Sequence, residues 1–461
     1  MKKRSINNNI IKTTYIFSIL FYVLIIFLVF LVLNGDSIID NSYNKRIDTL
    51  NNYVNKGQIY SANMEVLAYT DETTGKRIYP YNELLCHIIG YSEMGTTGME
   101  ETYKYEMLTS DMNIFSKFMN EVSGEKHPGN SIVSTLDVEL SKNCYDALSG
   151  YKGSVIVMDS ENGDVLSMVS NPTYNPNLLV ENWDSIVNSE DSVLLNRATS
   201  GLYTPGSVFK IVTLYSYITE NPDKYSEYSF LCKGQLDFSS YSISCSGHVW
   251  HGEENLKKSF ANSCNCSFVT ISDSVSVSGI ENVCDKLLFN KELPIEVGYK
   301  SSTFSINDDQ FTKHQTVIGQ GKTLVTPIHM TMIMNAIANE GVMMKPRFVT
   351  SILDYAGNEV ESFEPEEYIE IFTKEESELL SEYLREVVVS GTASDINSTA
   401  YELYGKTGTA QIDSKGNVNS WFLGYVKINN RTYTICVVVE NVNENISPAK
   451  EITQKIINSL T

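Results

Sequence analysis

The chain has 461 residues, of which 42% are hydrophobic and 11% aromatic, so it can hold more than one domain and bury a sizeable core. Its formal net charge of -21 excludes a nucleic-acid-binding protein, because neutralising phosphates requires clustered Lys and Arg that this chain lacks. The acidic balance indicates a well-solvated surface instead.

The first element is an apolar segment at residues 15–33, interrupted only by Ser18. Its length matches the roughly 30 Å of hydrocarbon that a transmembrane helix crosses. No small-residue cleavage site follows it, so we expect an uncleaved membrane anchor rather than a signal peptide. Basic residues without any acidic residue precede it, which predicts a cytoplasmic tail at 1–14 and an extracytoplasmic remainder. These basic residues are Lys2, Lys3, Arg4 and Lys12.

The next segment, 36–149, mixes short strand-like and helix-like pieces, and we interpret it as a small mixed spacer domain whose first helix covers 41–54. From residue 150 the pattern becomes more regular. Two strand runs, 153–158 and 164–169, flank a turn sequence that contains Asn162-Gly163. This pattern predicts a β-hairpin.

The C-terminal part of the chain predicts a second hairpin, with strands 421–428 and 432–440 around Asn429-Asn430, residues that tolerate positive φ. Other predicted elements are a strand at 406–410, a covering helix at 449–460, and helices at 208–219 and 257–273. For residues 150–461 we therefore expect an α+β domain. Its central antiparallel sheet comes from both ends of the domain, is flanked by helices, and has a helical region inserted between its halves.

Three short motifs follow one another in this second domain: Ser207-Val-Phe-Lys210, Ser263-Cys-Asn265 and Lys406-Thr-Gly408. Each is weak evidence alone, since Ser-x-x-Lys also occurs at 149–152. Their order, their spacing and the local structure predicted for each are more specific than any single match. Together the motifs indicate a serine acyl-transfer site.

In the first motif, Ser207 needs an adjacent base, because a serine hydroxyl is a poor nucleophile near neutral pH. Residues three apart on a helix share a face, so Lys210 can reach the Ser207 hydroxyl. The lysine has to be neutral for part of the time, which burial or a neighbouring cation can arrange. The alternative interpretation is a surface Ser and Lys on an ordinary helix.

In the second motif, Ser263 and Asn265 can point two polar groups into a cleft if a turn between helices presents them. Ser263 could then relay a proton and Asn265 could bind an amide. The alternative is helix capping, which Ser and Asn often perform.

The third motif and the residue after it place Lys406, Thr407, Gly408 and Thr409 on one strand. Hydroxyls, an ammonium group and a glycine that permits close backbone approach suit a ligand with a carboxylate. The alternative is an edge strand with solvated polar residues.

The three motifs together resemble the penicillin-binding and serine β-lactamase superfamily. Cys264 stands where the superfamily motif has Asp, as in the monofunctional class B penicillin-binding proteins. Further stretches similar to that class lie at 201–210, 318–321, 325–327, 391–393, 405–410 and 421–424, with looser matches at 56–59, 87–91 and 98–100.

The resemblance implies a DD-transpeptidase that acts on peptidoglycan stem peptides through an acyl-enzyme and needs no cofactor. Ser207 would attack the carbonyl carbon of the penultimate D-Ala. The oxyanion that forms would lie between the backbone N–H groups of Ser207 and Thr409. By position, the resemblance implies Ser207, Lys210, Ser263 and Lys406 as catalytic residues, and Asn265, Thr407, Gly408 and Thr409 as substrate-binding residues.

The resemblance also implies acylation by β-lactam antibiotics, and we identify no further base that would hydrolyse the adduct. Its implied partner is a polytopic membrane glycosyltransferase of the shape, elongation, division and sporulation type. The alternative function is a β-lactam sensor or a non-catalytic scaffold of a cell-wall complex. Every expected catalytic position is occupied, which argues against the scaffold.

A possible metal site precedes the second motif, where Cys232 and Cys245 are followed by His248 and His251, with Asp237 between the cysteines. Two thiolates and one or two imidazoles are enough for a structural zinc site. The spacing departs from zinc-finger patterns, and a disulfide between the two cysteines is the alternative outside a membrane.

Overall fold

The computed structural model describes residues 2–33, 50–413 and 415–460, and its larger elements are two β-sheets with covering helices. The architecture is α+β, as the sequence predicts. The α-helices are Lys2–Leu33, Cys86–Ile89, Gly98–Thr102, Lys104–Leu108, Ile114–Ser123, Val138–Leu148, Leu179–Val187, Arg197–Ser200, Lys210–Glu220, Leu256–Ala261, Asn265–Ser272, Val277–Lys286, Gln310–Val317, Pro327–Ala338, Lys374–Val389 and Pro448–Leu460.

The central sheet has five antiparallel strands and is built from both ends of the second predicted domain. Its order across the sheet is Glu402–Gln411, Asn417–Ile428, Arg431–Asn443, Gly153–Asp159 and Val165–Asn171. Both predicted hairpins are therefore confirmed. Asn429 and Asn430 have φ of 52° and 60°, the left-handed conformation that a two-residue hairpin loop requires.

Helices cover the central sheet. Its inner strands are therefore buried along most of their length. Pro327–Ala338 packs on the sheet and is apolar and buried almost all round, as expected for a helix inside a core. Val138–Leu148 and Pro448–Leu460 pack against each other and against the sheet. The predicted C-terminal helix is thus confirmed as a covering element.

The N-terminal sheet has six strands, and its interior pairing of Ile59–Tyr60 with Ser131–Ser134 is parallel. Strands from beyond residue 149 extend it, since Val349–Leu353 pairs with Ser131–Ser134. Its order is Glu359–Ser362, Val349–Leu353, Ser131–Ser134, Ile59–Tyr60, Val66–Thr70 and Arg77–Ile78. The boundary at 149–150 stays a prediction. Of the predicted helix at 41–54, residues 41–49 lie outside the described part; 50–53 are helical and Val54 begins a strand.

A buried ion cluster holds the N-terminal sheet to its helices. Glu100 is fully buried and forms ion pairs with Arg77, whose Nε lies 2.7 Å from Oε1, and with Lys56. Arg77 Nη1 also donates to the Gly57 carbonyl at 2.6 Å. The two cations thus share one carboxylate and the nearby backbone oxygens.

The helix Lys2–Leu33 contains the predicted anchor. Its segment Ile10–Phe30 is long and apolar enough to cross a membrane, with a mean hydropathy of 2.5. None of that segment is buried against the rest of the protein. These properties suggest a single-pass membrane anchor.

Candidate active site

Ser207 lies on a 3-10 turn, Gly206–Phe209, that leads directly into the helix Lys210–Glu220. Gly206 has φ of +54°, and a Cβ at this position would lie only 2.7 Å from the Thr409 carbonyl oxygen. Any side chain here would push the turn away from the strand that carries Thr409. The glycine therefore lets the first and third motifs lie against each other.

The segment before Ser207 is fixed by buried polar contacts. The Trp421 indole donates to the Thr204 carbonyl at 3.3 Å. Glu440 accepts hydrogen bonds from the Tyr203 hydroxyl at 2.7 Å and from Arg197 Nε at 2.8 Å. Because these groups belong to the central sheet and its neighbouring helix, the sheet holds the turn that carries the serine.

Lys210 connects the first motif to the second. Its side chain is fully buried, and its Nζ donates to the Ser263 carbonyl at 2.6 Å, to Asn265 Oδ1 at 2.7 Å and to Ser263 Oγ at 3.3 Å. The Lys210 backbone N–H donates to the Ser207 carbonyl, but among the described residues no side-chain hydrogen bond joins the Ser207 hydroxyl to Lys210 Nζ. Such contacts often form only when substrate binds.

Burial lowers the pKa of Lys210 to about 8, while the nearby Cys264 thiol and further acidic groups oppose the shift. Burial disfavours the charged ammonium because the protein interior solvates it poorly. At pH 7 about a tenth of the Lys210 amines are then neutral. A neutral amine of this kind can accept a proton.

The second motif lies at a break between two helices. The sequence predicts a helical stretch over 257–273 and a cleft position for Ser263 and Asn265 if a turn between helices presents them; the structure has two helices, Leu256–Ala261 and Asn265–Ser272, with such a turn between them. Ser263 lies between them with φ of +55°, in the left-handed region that residues other than glycine rarely adopt. The break lets Ser263 and Asn265 both reach Lys210, which a continuous helix would not allow.

The third motif lies on the strand Glu402–Gln411. Lys406 is fully buried, with its Nζ 3.1 Å from the Thr407 carbonyl and 5.6 Å from the centre of the Phe260 ring. Burial, assisted by the charge of Lys210, holds the pKa of Lys406 well below its usual range. The two lysines therefore lie close enough to disfavour simultaneous ionisation.

The outer side of that strand offers hydroxyl groups. Thr409 is exposed, Thr407 is half-buried, and the hydroxyls of Thr407 and Thr392 are 2.6 Å apart. A Cβ at Gly408 would lie 2.9 Å from Trp421 Cβ, so glycine allows the strand to pack closely at this position. Ser207, also half-buried, lies beside this strand, where a ligand could reach it.

A thiol cluster, defined here as Cys232, Cys245, His251, Cys264 and Cys266, adjoins the second motif. The Cys245 Sγ lies 3.8 Å from Cys232 Sγ, 3.7 Å from Cys264 Sγ and 3.6 Å from Cys266 Sγ. The Nδ1 of His251 lies 3.4 Å from Cys232 Sγ. All of these cysteines are free thiols, and hydrogen bonding to Cys264 and Cys266 lowers the pKa of Cys245.

Two residues of the metal-ligand set that the sequence suggests lie outside this cluster. His248 is exposed on a tight turn, with φ of 54°, and Asp237 is exposed on a strand, where it accepts a hydrogen bond from Gln235. Cys264 and Cys266 were not among the metal ligands predicted from the sequence. Their Cys-x-Cys spacing was the available signal, but only the broken helix directs both thiols towards Cys245.

Residues 153–458 match the profile of the penicillin binding protein transpeptidase domain. A curated relative, the peptidoglycan D,D-transpeptidase PbpA of Mycolicibacterium smegmatis, is 24% identical over 420 residues, covering 85% of each chain. The peptidoglycan D,D-transpeptidase MrdA of Acinetobacter baumannii is 24% identical over 393 residues, covering 74% of this chain and 58% of MrdA.

Solved structures show the same fold. The D,D-transpeptidase domain of a peptidoglycan glycosyltransferase from Eggerthella lenta is 25% identical, with a TM-score of 0.78, and covers 88% of this chain and 98% of that one. Penicillin-binding protein A of M. tuberculosis, solved as an imipenem acyl-enzyme, is 21% identical with a TM-score of 0.80, covering 90% of this chain and 100% of that one. The predicted transpeptidase fold is confirmed.

Proposed function

Since the chain belongs to the penicillin-binding protein transpeptidase family, we propose that it is a serine D,D-transpeptidase that cross-links peptidoglycan stem peptides. The observation that carries this proposal is the convergence of three distant motifs around one buried amine. Lys210 contacts Ser263 and Asn265, and the turn of Ser207 packs against the strand of Thr409.

In the proposed acylation step, Ser207 Oγ forms a bond to the carbonyl carbon of the penultimate D-Ala. The hydroxyl proton passes to neutral Lys210, which burial makes available at neutral pH. The peptide C–N bond then breaks, and the departing D-Ala amine takes a proton through Ser263, whose hydroxyl lies 3.3 Å from Lys210 Nζ.

In the proposed second step, an amine of another stem peptide attacks the ester at Ser207. The attacking nitrogen gives one proton to neutral Lys210 as the new amide bond, the cross-link, forms; the ester bond then breaks, and Lys210 passes that proton to the Ser207 oxygen. The backbone N–H groups of Ser207 and Thr409 would hold the oxyanion in both steps, with roughly 3 to 4 kcal/mol expected from each donor. A β-lactam would form the same ester and persist.

Substrate recognition would use the polar groups around the cleft. The hydroxyls of Thr407 and Thr409 are accessible to a terminal carboxylate, and the buried Lys406 adjoins them on the same strand. Asn265 would bind the peptide amide. Its Oδ1 accepts from Lys210 and its Nδ2 donates to the Ser244 carbonyl at 3.0 Å, so its orientation is set before substrate arrives.

Labelling with a fluorescent penicillin tests this function directly. The full-length protein is expected to be labelled, and Ser207→Ala is expected to lose the label entirely. Ser149→Ala is the matched control, because Ser149 begins another Ser-x-x-Lys run. Ser149 is exposed and lies well before Ser207 in the sequence. If Ser207→Ala is labelled like the wild type, or if the wild type is not labelled at all, the assignment is wrong.

The proposed location follows from the helix Lys2–Leu33 and the basic residues at its start. We infer a single-pass protein with its N-terminus in the cytoplasm and the catalytic domain outside the membrane. By resemblance, a polytopic membrane glycosyltransferase of the shape, elongation, division and sporulation family would supply the glycan strands.

We also propose that the thiol cluster holds a structural zinc ion through Cys232, Cys245, His251 and Cys264. Their ligand atoms all lie within 4.8 Å of one another. Tetrahedral zinc with Zn–S bonds of about 2.3 Å separates its sulfur ligands by about 3.8 Å. The 3.8 Å and 3.7 Å separations around Cys245 fit that geometry. A bound ion would brace the turn that presents Ser263.

Metal analysis of the purified protein tests the zinc site. About one zinc ion per chain is expected, together with a lower melting temperature after chelation. Cys232→Ser should lose the metal, whereas Cys284→Ser, which changes a buried thiol outside the cluster, should retain it. A wild-type protein without bound zinc would dispose of the site.

A further inference from the structure

The helix Ile114–Ser123, here called the exposed helix, carries an apolar face that no part of the chain described by the structure covers. Phe115, Phe118, Met119 and Val122 are 70%, 59%, 46% and 67% exposed. Their spacing of three, four and seven residues from Phe115 places all four on one side of the helix. Four large apolar side chains on one face exceed the isolated exposed residues that are ordinary on a soluble protein.

The orientation of the exposed helix is the reverse of the usual one. Its polar side chains Ser116, Lys117 and Asn120 lie on the opposite side of the helix and are half-buried. In a soluble amphipathic helix, the apolar side packs against the core and the polar side meets water. Because the apolar side of the exposed helix points outwards, contact with an apolar partner is more favourable for it than contact with water.

The position of the exposed helix identifies that partner. Just after it, His127–Pro128 pairs in parallel with Val54–Asn55, and Lys126 Nζ donates to the Asn51 carbonyl at 2.6 Å. Asn51 follows closely on residues 34–49, which join the domain to the helix Lys2–Leu33. Sixteen residues span at most about 55 Å. The exposed helix therefore lies where the chain from the membrane enters the domain.

We propose that the exposed helix lies in the membrane interface, with its four apolar side chains inserted between the lipids; this rests on the membrane anchor of the proposed function. Residues 111–126 contain two basic and three acidic side chains, so attraction to anionic lipid contributes little. Insertion is driven by burial of apolar surface, as in other interfacial helices.

A second attachment to the membrane has a mechanical consequence. A single transmembrane helix, joined to the domain by sixteen residues, attaches the domain to the bilayer at one point. A helix lying in the interface fixes one side of the N-terminal sheet to the bilayer. The catalytic cleft is then presented to the cell wall in one orientation.

Tryptophan quenching tests the proposal on the full chain in nanodiscs of phosphatidylethanolamine and phosphatidylglycerol. Phe118→Trp adds a fluorophore on the apolar face, and the parent protein supplies the background of its three tryptophans. Lipids that carry a doxyl quencher below the headgroup are expected to remove most of the added emission, equally at low and high salt. Phe311→Trp, at a 49% exposed position on another helix, should not be quenched.

Adding Val122→Glu to Phe118→Trp should abolish the quenching, because a carboxylate on the apolar face opposes insertion. Acylation by fluorescent penicillin, measured on the same samples, should stay unchanged in every variant. Normal acylation without quenching overturns the interfacial helix and leaves the proposed enzyme intact. If the variants instead convert a dimer to a monomer, a second copy covers the face and the lipid proposal is wrong.

Discussion

The protein buries cations in two places with opposite electrostatic arrangements. In the N-terminal sheet, Lys56 and Arg77 share the carboxylate of Glu100. In the cleft, Lys210 and Lys406 are buried as completely, yet their hydrogen-bond acceptors are neutral carbonyl and amide oxygens. The first arrangement compensates its charges and the second leaves them poorly compensated.

The pKa directions express this difference. Burial lowers the pKa of Lys56, but Glu100 opposes the shift; burial alone would raise the pKa of Glu100, and Arg77 and Lys56 bring it below its usual range. Burial lowers the pKa of Lys210 to about 8, and that of Lys406 falls well below its usual value. Compensated charges serve stability, and uncompensated ones supply amines that can transfer protons.

The largest expected effect breaks the compensated cluster. Glu100→Gln leaves Lys56 and Arg77 buried without a carboxylate, and removing one partner of a buried ion pair typically costs about 3 to 5 kcal/mol. Urea unfolding of the full-length protein in detergent should show this loss, while the folded fraction should still react with penicillin.

The exposed neighbour Glu101 provides the matched control for Glu100→Gln. Glu101→Gln makes the same chemical change one residue along the chain and should leave the unfolding midpoint nearly unchanged. Equal midpoints for the two variants would contradict the structural role of the ion cluster.

The next largest effect removes the uncompensated base. Lys210→Met keeps the buried volume but cannot accept the Ser207 proton, so the acylation rate constant should fall by at least about 10²-fold. Stopped-flow measurement with a chromogenic cephalosporin gives that constant. Lys257→Met, which alters a partly exposed lysine, should react at the wild-type rate. A Lys210→Met rate close to wild type would remove Lys210 from the mechanism.

The pH profile of acylation sharpens the same point. Only neutral Lys210 can accept the proton, and its pKa is about 8, so the rate should rise about tenfold per pH unit below that value and level off above it. Rates measured between pH 6 and 9.5 test this. A profile that is flat from pH 6 to 8 is incompatible with a Lys210 base.

The smallest effect is a gain in stability. Lys406→Met removes a poorly compensated buried amine and should stabilise the fold by about 1 kcal/mol at pH 7 while slowing acylation. The pKa of Lys406 lies well below 10.5 in the folded protein and near this ordinary value in the unfolded chain.

Wild-type stability should therefore gain a contribution as the pH rises between those two pKa values, because the unfolded state binds more protons there. Lys406→Met lacks this contribution, so its advantage should shrink as the pH approaches 10.5. Thermal unfolding of both proteins across this range is the measurement. A variant less stable than wild type at pH 7 would show that the amine is well compensated.

Local patterns in the sequence predicted the central sheet well. The turn at Asn429-Asn430 determines its own hairpin, since both residues accept positive φ. The three motifs predicted one shared site, and the structure brings them close together: Lys210 contacts Ser263 and Asn265, and the turn of Ser207 packs against the strand of Thr409. The N-terminal sheet was not predictable in this way, because it pairs Ser131–Ser134 with Val349–Leu353, more than two hundred residues away.

The position of the break at Ser263 could not be predicted, for a physical reason. Residues 257–273 have helical periodicity, and that signal does not reveal that Cys264 caps a second helix by accepting a hydrogen bond from the Ser267 N–H. The thiol cluster depends on this break. Both His248 and His251 follow Cys245 closely in the sequence, and the structure places His251, not His248, beside the cysteines.

The central sheet also dictates when during synthesis the enzyme can become reactive. Its middle strand, Arg431–Asn443, lies between strands from opposite ends of the domain, and Ser207 is translated more than two hundred residues earlier. Such long-range pairing forms late in folding. We therefore expect the proposed nucleophile, Ser207, to stay unreactive until nearly the whole polypeptide has been synthesised, and loss of the last two strands to abolish its reactivity.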